Sequence, residues 1–348
     1  MLIAFFVNDM AKEYPNYTTT VLAHEAASRG HRVCYITPGD FVMRPDGSMQ
    51  LHARMAPTRK AKNHVEFFKG MAATAEKTEK LDLEEVDVLW LRSDPALDAT
   101  TAPWAADAGI LFGREAVKRG VLVLNDPNSL SLAVNKMYFQ SFPEAVRAET
   151  LITKFASDVK AFAKAHGGEC ILKPLQGSGG SGVFKVDSKN MSNINQMIEA
   201  ITRDGYIIAQ AYVPAAAKGD IRLFMMNGRP LQIGKKYAAL RRVSAKDDIR
   251  SNIHAGGKAV AVEIGETELR IAELIRPKLI ADGMFLVGID IVGDKILEVN
   301  VFSPGNLHSC NTLAKANFAE QIIASVERKI EISREFEHAF DNKRLAVM

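Results

Sequence analysis

Lys173-Pro174-Leu175-Gln176-Gly177-Ser178-Gly179-Gly180-Ser181-Gly182 joins a lysine to a loop dense in glycine. The apolar Cys170-Ile171-Leu172 before it and the alternating Val183-Phe184-Lys185-Val186 after it read as strands, so the glycines fall at a hairpin tip. That placement excludes two familiar phosphate loops. A Walker A run ends in Gly-Lys-Ser/Thr, and a dinucleotide fingerprint passes from strand into helix. What is left is a flap whose glycines let backbone N–H groups approach phosphate oxygens, with Lys173 supplying a compact positive charge from the adjoining strand. Taken alone the stretch fits an ordinary mobile hairpin equally well, so the rest of the chain has to decide.

A chain of 348 residues, 47% hydrophobic and 24% charged, has room for two or three domains with sizeable cores. Its 44 basic and 41 acidic residues leave a net charge of +3, which excludes nucleic acid or an anionic membrane as a standing partner. A small anionic ligand needs only local charge. Met1 to Val7 is apolar but has no basic leader and stops at Asn8-Asp9, so it reads as a first strand rather than a signal peptide or membrane span. Cys34, Cys170 and Cys310 are odd in number and scattered, which suits neither a disulfide framework nor a zinc site and points to a reducing cytoplasm.

Up to about residue 125 strands alternate with helices: Leu2 to Val7, a helix over Tyr17 to Arg29, His31 to Ile36, Val86 to Leu91, a helix over Pro103 to Arg119, and Val121 to Leu124. This is the grammar of a mostly parallel α/β sheet. Ligands of open sheets sit beyond the carboxyl ends of the strands, which singles out Asn8, Asp9 and Arg92. Arg92 can fork onto a carboxylate, or with Asp94 it can tie a surface turn together. Residues 41–80 show no readable pattern and are assigned no role.

Asn125-Asp126-Pro127 closes that sheet, and a helix is expected over Ser129 to Phe142, carrying Asn135-Lys136. After the flap, a helix over Ser192 to Arg203 leads to the strand Tyr206 to Gln210 and the proline-stopped Ala211-Tyr212-Val213-Pro214, whose backbone groups suit an adenine ring. Asp220-Ile221-Arg222 opens a further strand that turns at Asn227-Gly228. Residues 241–258 read as one long polar loop, with Arg250, Asn252 and a closing Gly256-Gly257; its cations suit charge developing on a transferring phosphoryl group, or simply face solvent. Met284 to Val292 is a buried strand interrupted by Asp290, an expensive residue without a partner. In the next strand Glu298 and Asn300 share a face, so Asp290, Glu298 and Asn300 converge either as hard oxygen ligands for Mg²⁺ or as a hydrogen-bond network between strands. A helix over Asn311 to Lys329 and a charged tail complete the chain.

The order Asn135-Lys136, Ile171-Leu172-Lys173-Pro174 with its flap, Ala209 to Pro214, Asp220-Ile221-Arg222, Gly288-Ile289-Asp290-Ile291 and Glu298-Val299-Asn300 resembles the ATP-grasp ligases, and among them most the bacterial glutathione synthetases. The resemblance runs from the first strand to about residue 330, with Leu91 to Pro95 and Asn125-Asp126-Pro127 in the first half. It implies an α/β protein in which a mostly parallel amino-terminal domain (1–125) precedes a two-part ATP-grasp α+β fold (126–208 with the flap, 209–330 with the metal site) and a tail (331–348). It also implies that Lys136 and Lys173 grip the ATP phosphates under a flap of Gln176, Gly177, Ser178, Gly179, Gly180 and Gly182. By the same resemblance Gln210, Tyr212, Val213 and Asp220 complete the nucleotide site, and Asp290, Glu298 and Asn300 hold two Mg²⁺ ions, with Mn²⁺ as a substitute. A cytoplasmic homo-oligomer is implied as well.

The family's chemistry, so implied, sends a substrate carboxylate onto the γ-phosphate of ATP and lets an amine displace phosphate from the acyl phosphate. Arg222, Arg250, Asn252 and the Gly256-Gly257 backbone are the expected catalytic groups, and Arg92, Asp94, Ser303, Pro304 and Gly305 the substrate-side ones. Two places depart from the glutathione synthetases. Arg250 to Gly257 resembles the loop of ligases that add glutamate to ribosomal-protein tails, and Gly305 stands where glutathione synthetases tend to carry threonine. Because the amino-terminal half follows the glutathione synthetases, the expected small-molecule substrates are γ-glutamylcysteine and glycine, with a ligase acting on another peptide or protein tail as the alternative. Because synapsin resembles this fold, a non-catalytic ATP-binding interaction module is the reading from a different class. Cys170 reads as a core residue and His308 as a surface histidine.

Overall fold

Leu2–Phe6 is five apolar residues, every one buried, and such a strand belongs in the middle of a sheet covered on both faces. It pairs in parallel with Arg32–Ile36 on one side and Val88–Leu91 on the other, and Leu122–Leu124 adds in parallel to the latter. Leu2, Ala4 and Phe6 join a core with Ala108 and Ala116 of helix Ala108–Lys118, whereas Ile3, Phe5 and Val7 join Val21, Leu22 and Ala26 of helix Thr18–Ser28. The computed structural model describes residues 1–57, 61–99, 101–177, 181–243 and 257–348. The stretch that the sequence left unread adds three antiparallel strands, Phe41–Met43, Met49–Met55 and Glu79–Asp82, to the Arg32–Ile36 edge.

Besides the two-stranded pair Gln232–Ile233 and Lys236–Tyr237, two antiparallel sheets follow. The smaller orders Phe184–Val186, Cys170–Pro174, Ile207–Ala211 and Thr150–Thr153, so the glycine-rich stretch does join two paired strands of a hairpin. Val159 and Ala163 of helix Ala156–Ala165 and Ile198 and Ile201 of helix Ile194–Thr202 pack with Leu172 and Ala209 of that sheet. The larger sheet orders Lys258–Val260, Ala239–Val243, Asp220–Met226, Leu286–Val292 and Lys295–Asn300.

Three expected elements are corrected. The single helix over Ser129 to Phe142 is instead helix Pro127–Leu130 followed by 3₁₀ turns Ser131–Ala133 and Lys136–Ser141. Asn135 is extended, with φ −139° and ψ 170°, and its side chain accepts the Met137 N–H, a cap that starts a new turn. The last helix is two, Leu307–Ala314 and Phe318–Glu335, separated where Lys315 takes a left-handed φ of 49°. The polar loop begins later than expected, because Ala239–Val243 and Lys258–Val260 pair with each other.

The sheets are cross-linked by buried polar groups. The Asn125 side chain donates to Leu286 O (3.1 Å) and Val301 O (2.6 Å) and accepts from Leu286 N–H (3.0 Å), fastening the end of the parallel sheet to the larger antiparallel one. On the outside Arg29 donates twice to Glu327, at 2.9 and 2.6 Å, and the His31 ring lies 2.6 Å from the same carboxylate. The Arg29 hydrogen bonds, against a small burial penalty and with help from His31, hold the Glu327 carboxyl down at about 2. A depressed carboxyl stabilises the fold above its unfolded value and loses that contribution as pH falls toward the folded one. Glu327→Gln is therefore expected to lower the melting temperature at neutral pH, with the gap from the parent chain closing as pH drops from about 4.5 toward about 2. Melting curves across that range check it; a gap that does not change with pH contradicts the assignment.

Candidate active site

Register in the larger sheet decides which charges meet. Asp220 lies opposite Arg242, Arg222 opposite Asp290, Asp290 opposite Glu298, and Gly288 opposite Asn300. Because strand side chains alternate, these groups share one face. Arg222 and Asp290 are only 4% and 2% exposed. Arg222 grips Asp290 with both Nε and Nη2, the latter at 2.8 Å, and Arg242 Nη2 reaches the same carboxylate at 2.7 Å. Arg242 also holds both oxygens of Asp220 through Nε at 3.1 Å. Gly288 makes room for this, since a Cβ there would meet Arg222 Cδ and Pro304 Cβ at 3.0 Å. Across that gap Arg222 Nη1 extends to Gly305 O at 3.4 Å.

Burial works against the charge on Asp290, but the guanidinium groups of Arg222 and Arg242 outweigh it and keep the carboxyl below its ordinary range. Glu298 behaves oppositely. It opens onto a cleft yet is hemmed in by protein, and that burial together with the neighbouring Asp290 charge raises its carboxyl. Asn300 Nδ2 donates to Asp290 Oδ2 at 3.3 Å, so Asp290, Glu298 and Asn300 do share one face, with hydrogen bonding between the strands. Among the described residues no three His, Cys, Asp or Glu form a metal-type cluster; here two carboxylates and an amide offer hard oxygens. That donor set fits Mg²⁺, which takes few protein ligands, rather than a closed zinc site.

The opposite wall comes from the smaller sheet. Lys173 Nζ donates to Gln210 Oε1 at 3.0 Å, and Gln210 Nε2 donates in turn to Thr150 Oγ1 at 3.1 Å. Gln210 is buried, and its amide oxygen and nitrogen each make one of these contacts, which aims Lys173. Lys136 Nζ donates to Gly177 O at 2.6 Å, and its backbone N–H to Leu175 O at 3.0 Å, which ties it to the base of the flap. Burial pulls Lys173 down to about 8, against the attraction of Glu298, and lowers Lys136 for the same reason. Tyr212 carries the Lys185 ammonium 3.9 Å from its ring centroid, and the Val213 carbonyl accepts the Ala216 N–H.

The two walls enclose a cleft of about 660 Å³ bordered by Lys136, Lys173, Gly177, Gln210, Tyr212, Val213, Asp220, Asp290, Glu298 and Asn300, with Asp94 and Ser303 at its rim. Arg92 does not border it. It is 4% exposed and spends Nε on Thr19 Oγ1 (3.3 Å) and Nη2 on Pro304 O (3.1 Å), while burial lowers it to about 10 against the pull of Glu13. Arg92 thus fastens the parallel sheet to the Ser303-Pro304-Gly305 turn. Gln176 and Gly182 are exposed on the two limbs of the flap, and Gly257 is half-buried just before its strand. Ser178, Gly179, Gly180, Arg250, Asn252 and Gly256 lie outside the described residues.

Sequence reasoning passed over Arg242, Thr150 and Lys185. Arg242 was legible in principle, since a strand over 239–243 paired with Asp220 puts it on the polar face, but it had been absorbed into the loop.

Residues 1–131 match the family described as prokaryotic glutathione synthetase, N-terminal domain, and residues 135–315 match prokaryotic glutathione synthetase, ATP-grasp domain. A glutathione synthetase of Agrobacterium fabrum is 33% identical over 314 residues, covering 90% of this chain and 91% of that one. Among solved structures, D-cycloserine synthetase superposes with a TM-score of 0.62 at 14% identity over 94% of this chain and 99% of its own. The ATP-grasp ligase PsnB, solved with a minimal precursor, Mg and ADP, superposes with a TM-score of 0.54 at 15% identity over 94% and 98%. Both share the fold.

Burial holds the Lys173 ammonium down at about 8, so its charge is present below that pH and lost above it. Binding of ADP, measured by calorimetry, is expected to weaken as pH rises from 7 to 9.5. Lys173→Met should bind on the order of tenfold more weakly at pH 7 and show a flatter pH dependence. A parent and variant with the same pH profile would show that the Lys173 charge has no part in nucleotide binding.

Proposed function

Because the chain belongs to the prokaryotic glutathione synthetase family, and so is an ATP-dependent peptide ligase, we propose that it joins γ-glutamylcysteine to glycine, converting ATP to ADP and phosphate. The observation that carries this reading is the single cleft in which Lys136 and Lys173 face Asp290, Glu298 and Asn300. A nucleotide polyphosphate with its cation matches that division of charge.

In the proposed route the γ-glutamylcysteine carboxylate attacks the γ-phosphorus, the bond to the ADP oxygen breaks, and the glycine amine then adds to the acyl phosphate carbonyl and expels phosphate, which carries off the proton the amine loses. Lys173, aimed by Gln210 and Thr150, and Lys136 at the flap base bind the phosphates. Asp290, Glu298 and Asn300 would hold magnesium, whose chemistry is to draw off phosphate charge. Arg222 keeps Asp290 ionised and oriented, and reaches toward the Gly305 carbonyl on the substrate side. Closure over the phosphates from the Gly177 and Gly182 ends would exclude water from an intermediate that water would hydrolyse. No protein nucleophile is needed, and Cys170 is buried with its thiol pushed up to about 11. Among the described residues no helix is long and apolar enough to cross a membrane.

A bulkier second substrate is favoured by one observation. A Cβ at Gly305 would meet nothing within 4 Å, and its φ is outside the left-handed region, so neither packing nor backbone conformation requires glycine there. The missing side chain leaves room beside the turn that Arg92 and Arg222 hold.

Phosphate release from ATP is expected only with Mg²⁺, γ-glutamylcysteine and glycine together. Activity with glutamate and a peptide tail but none with glycine would transfer the proposal to the second reading, and nucleotide binding without turnover in any combination would favour an interaction module. Asp290→Asn and Glu298→Gln should each lower turnover on the order of 10²-fold or more while changing ADP affinity far less; undiminished turnover in either variant contradicts the metal assignment.

A further inference from the structure

A carboxylate offers about four lone-pair positions. On Asp290 four donors claim them: Arg222 Nε, Arg222 Nη2 at 2.8 Å, Arg242 Nη2 at 2.7 Å and Asn300 Nδ2 at 3.3 Å. A cation that takes an oxygen of Asp290 must displace one of them. Asn300 also has Gly288 O in reach at 3.3 Å, and the two guanidinium groups are not equally free to leave. Arg222 has no second carboxylate, its other contact being the Gly305 carbonyl at 3.4 Å. Arg242 does have one, because its Nε is 3.1 Å from each oxygen of Asp220 and its Nη2 also contacts Asp220 Oδ2.

We propose that Arg242 is a positioning residue that gates cation access to Asp290, and that Asp220 is where it retires when a cation arrives. The inference rests on reading Asp290, Glu298 and Asn300 as the cation site. The exchange strands no buried charge, since Arg222 stays with Asp290 and Arg242 with Asp220. It needs only side-chain movement. The Arg242 backbone is paired with Asp220 on one side and Ala259 on the other, and it packs so tightly on Gly219 that a Cβ there would lie 1.9 Å from the Arg242 carbonyl oxygen. Arg242 is thus a fixed post with a side chain that has two carboxylates in reach. Asp220, which the sequence placed with the nucleotide ligands, acquires a different use.

The test is Mn²⁺ binding by the full chain, read from the electron paramagnetic resonance of free Mn²⁺, with Mn²⁺ alone as the probe. Arg242→Gln is expected to bind Mn²⁺ about fivefold tighter or more, and Asp220→Asn to bind it weaker by a similar factor, because Arg242 then has nowhere to retire. Arg241→Gln, which removes the same charge one residue away on the alternate face of the strand, should leave the affinity unchanged. Arg242→Gln binding no tighter than Arg241→Gln, or Asp220→Asn binding tighter than the parent, overturns the gate. Should Arg242→Gln not fold, Asp220→Asn decides alone. Asp290→Asn separates the two levels: if it weakens Mn²⁺ binding while Arg242→Gln fails to tighten it, only the gate falls, and if it has no effect the cation reading falls and takes the gate with it.

Discussion

A guanidinium and a carboxylate taken out of water must satisfy each other, and the Arg222–Asp290 pair, 4% and 2% exposed, is the demand around which the larger sheet is built. Removing one partner of such a pair typically costs about 3–5 kcal/mol, because the survivor is left charged and buried. Gly288 is kept bare so that Arg222 can lie flat, and the Pro304-Gly305 turn packs against its far end. Asp220 and Arg242 complete a neutral four-group layer. On the other face of the same strands Ile221, Leu223, Ile289 and Ile291 supply the apolar core that pins the register.

The cleft sets two kinds of reluctant charge against each other. Burial pushes the ammonium of Lys173 toward neutrality on one wall and the carboxyl of Glu298 toward neutrality on the other. Each group weakly supports the other across the gap. A ligand that brings negative charge to the lysines and positive charge to the carboxylates relieves both at once, so the two halves of such a ligand are expected to bind cooperatively.

Much of this was legible in the sequence. The buried run Leu2–Phe6, the glycine hairpin and the alternation that brings Asp290, Glu298 and Asn300 together all follow from period-two burial and turn chemistry, which are local signals. What was missed depends on partners distant in sequence. Phe41–Met43 and Glu79–Asp82 are short, partly polar strands whose strongest cue is the Met49–Met55 strand they pair with, whereas Met49, Leu51 and Ala53 do carry a period-two signal. The break at Asn135 is a choice between helix continuation and side-chain capping that propensity does not decide. Arg92 looked like a substrate fork because it ends a parallel strand, and only the fold reveals the Pro304 carbonyl, 212 positions away, that accepts its hydrogen bond.

Besides the apolar core that Phe5 and Trp90 share with Phe224 and Phe285, the first part of the chain is joined to the rest along a seam of polar pairs distant in sequence: Asn125 with Leu286 and Val301, Arg92 with Pro304, Arg29 and His31 with Glu327. None of them lies within one half of the chain. A recombinant chimera that takes its first 125 residues from one relative and the remainder from another would inherit each of these contacts from two different parents. Recombination inside this family should therefore succeed where both sides of the seam are exchanged together, and the first half is better regarded as a component fitted to its own second half than as an interchangeable part.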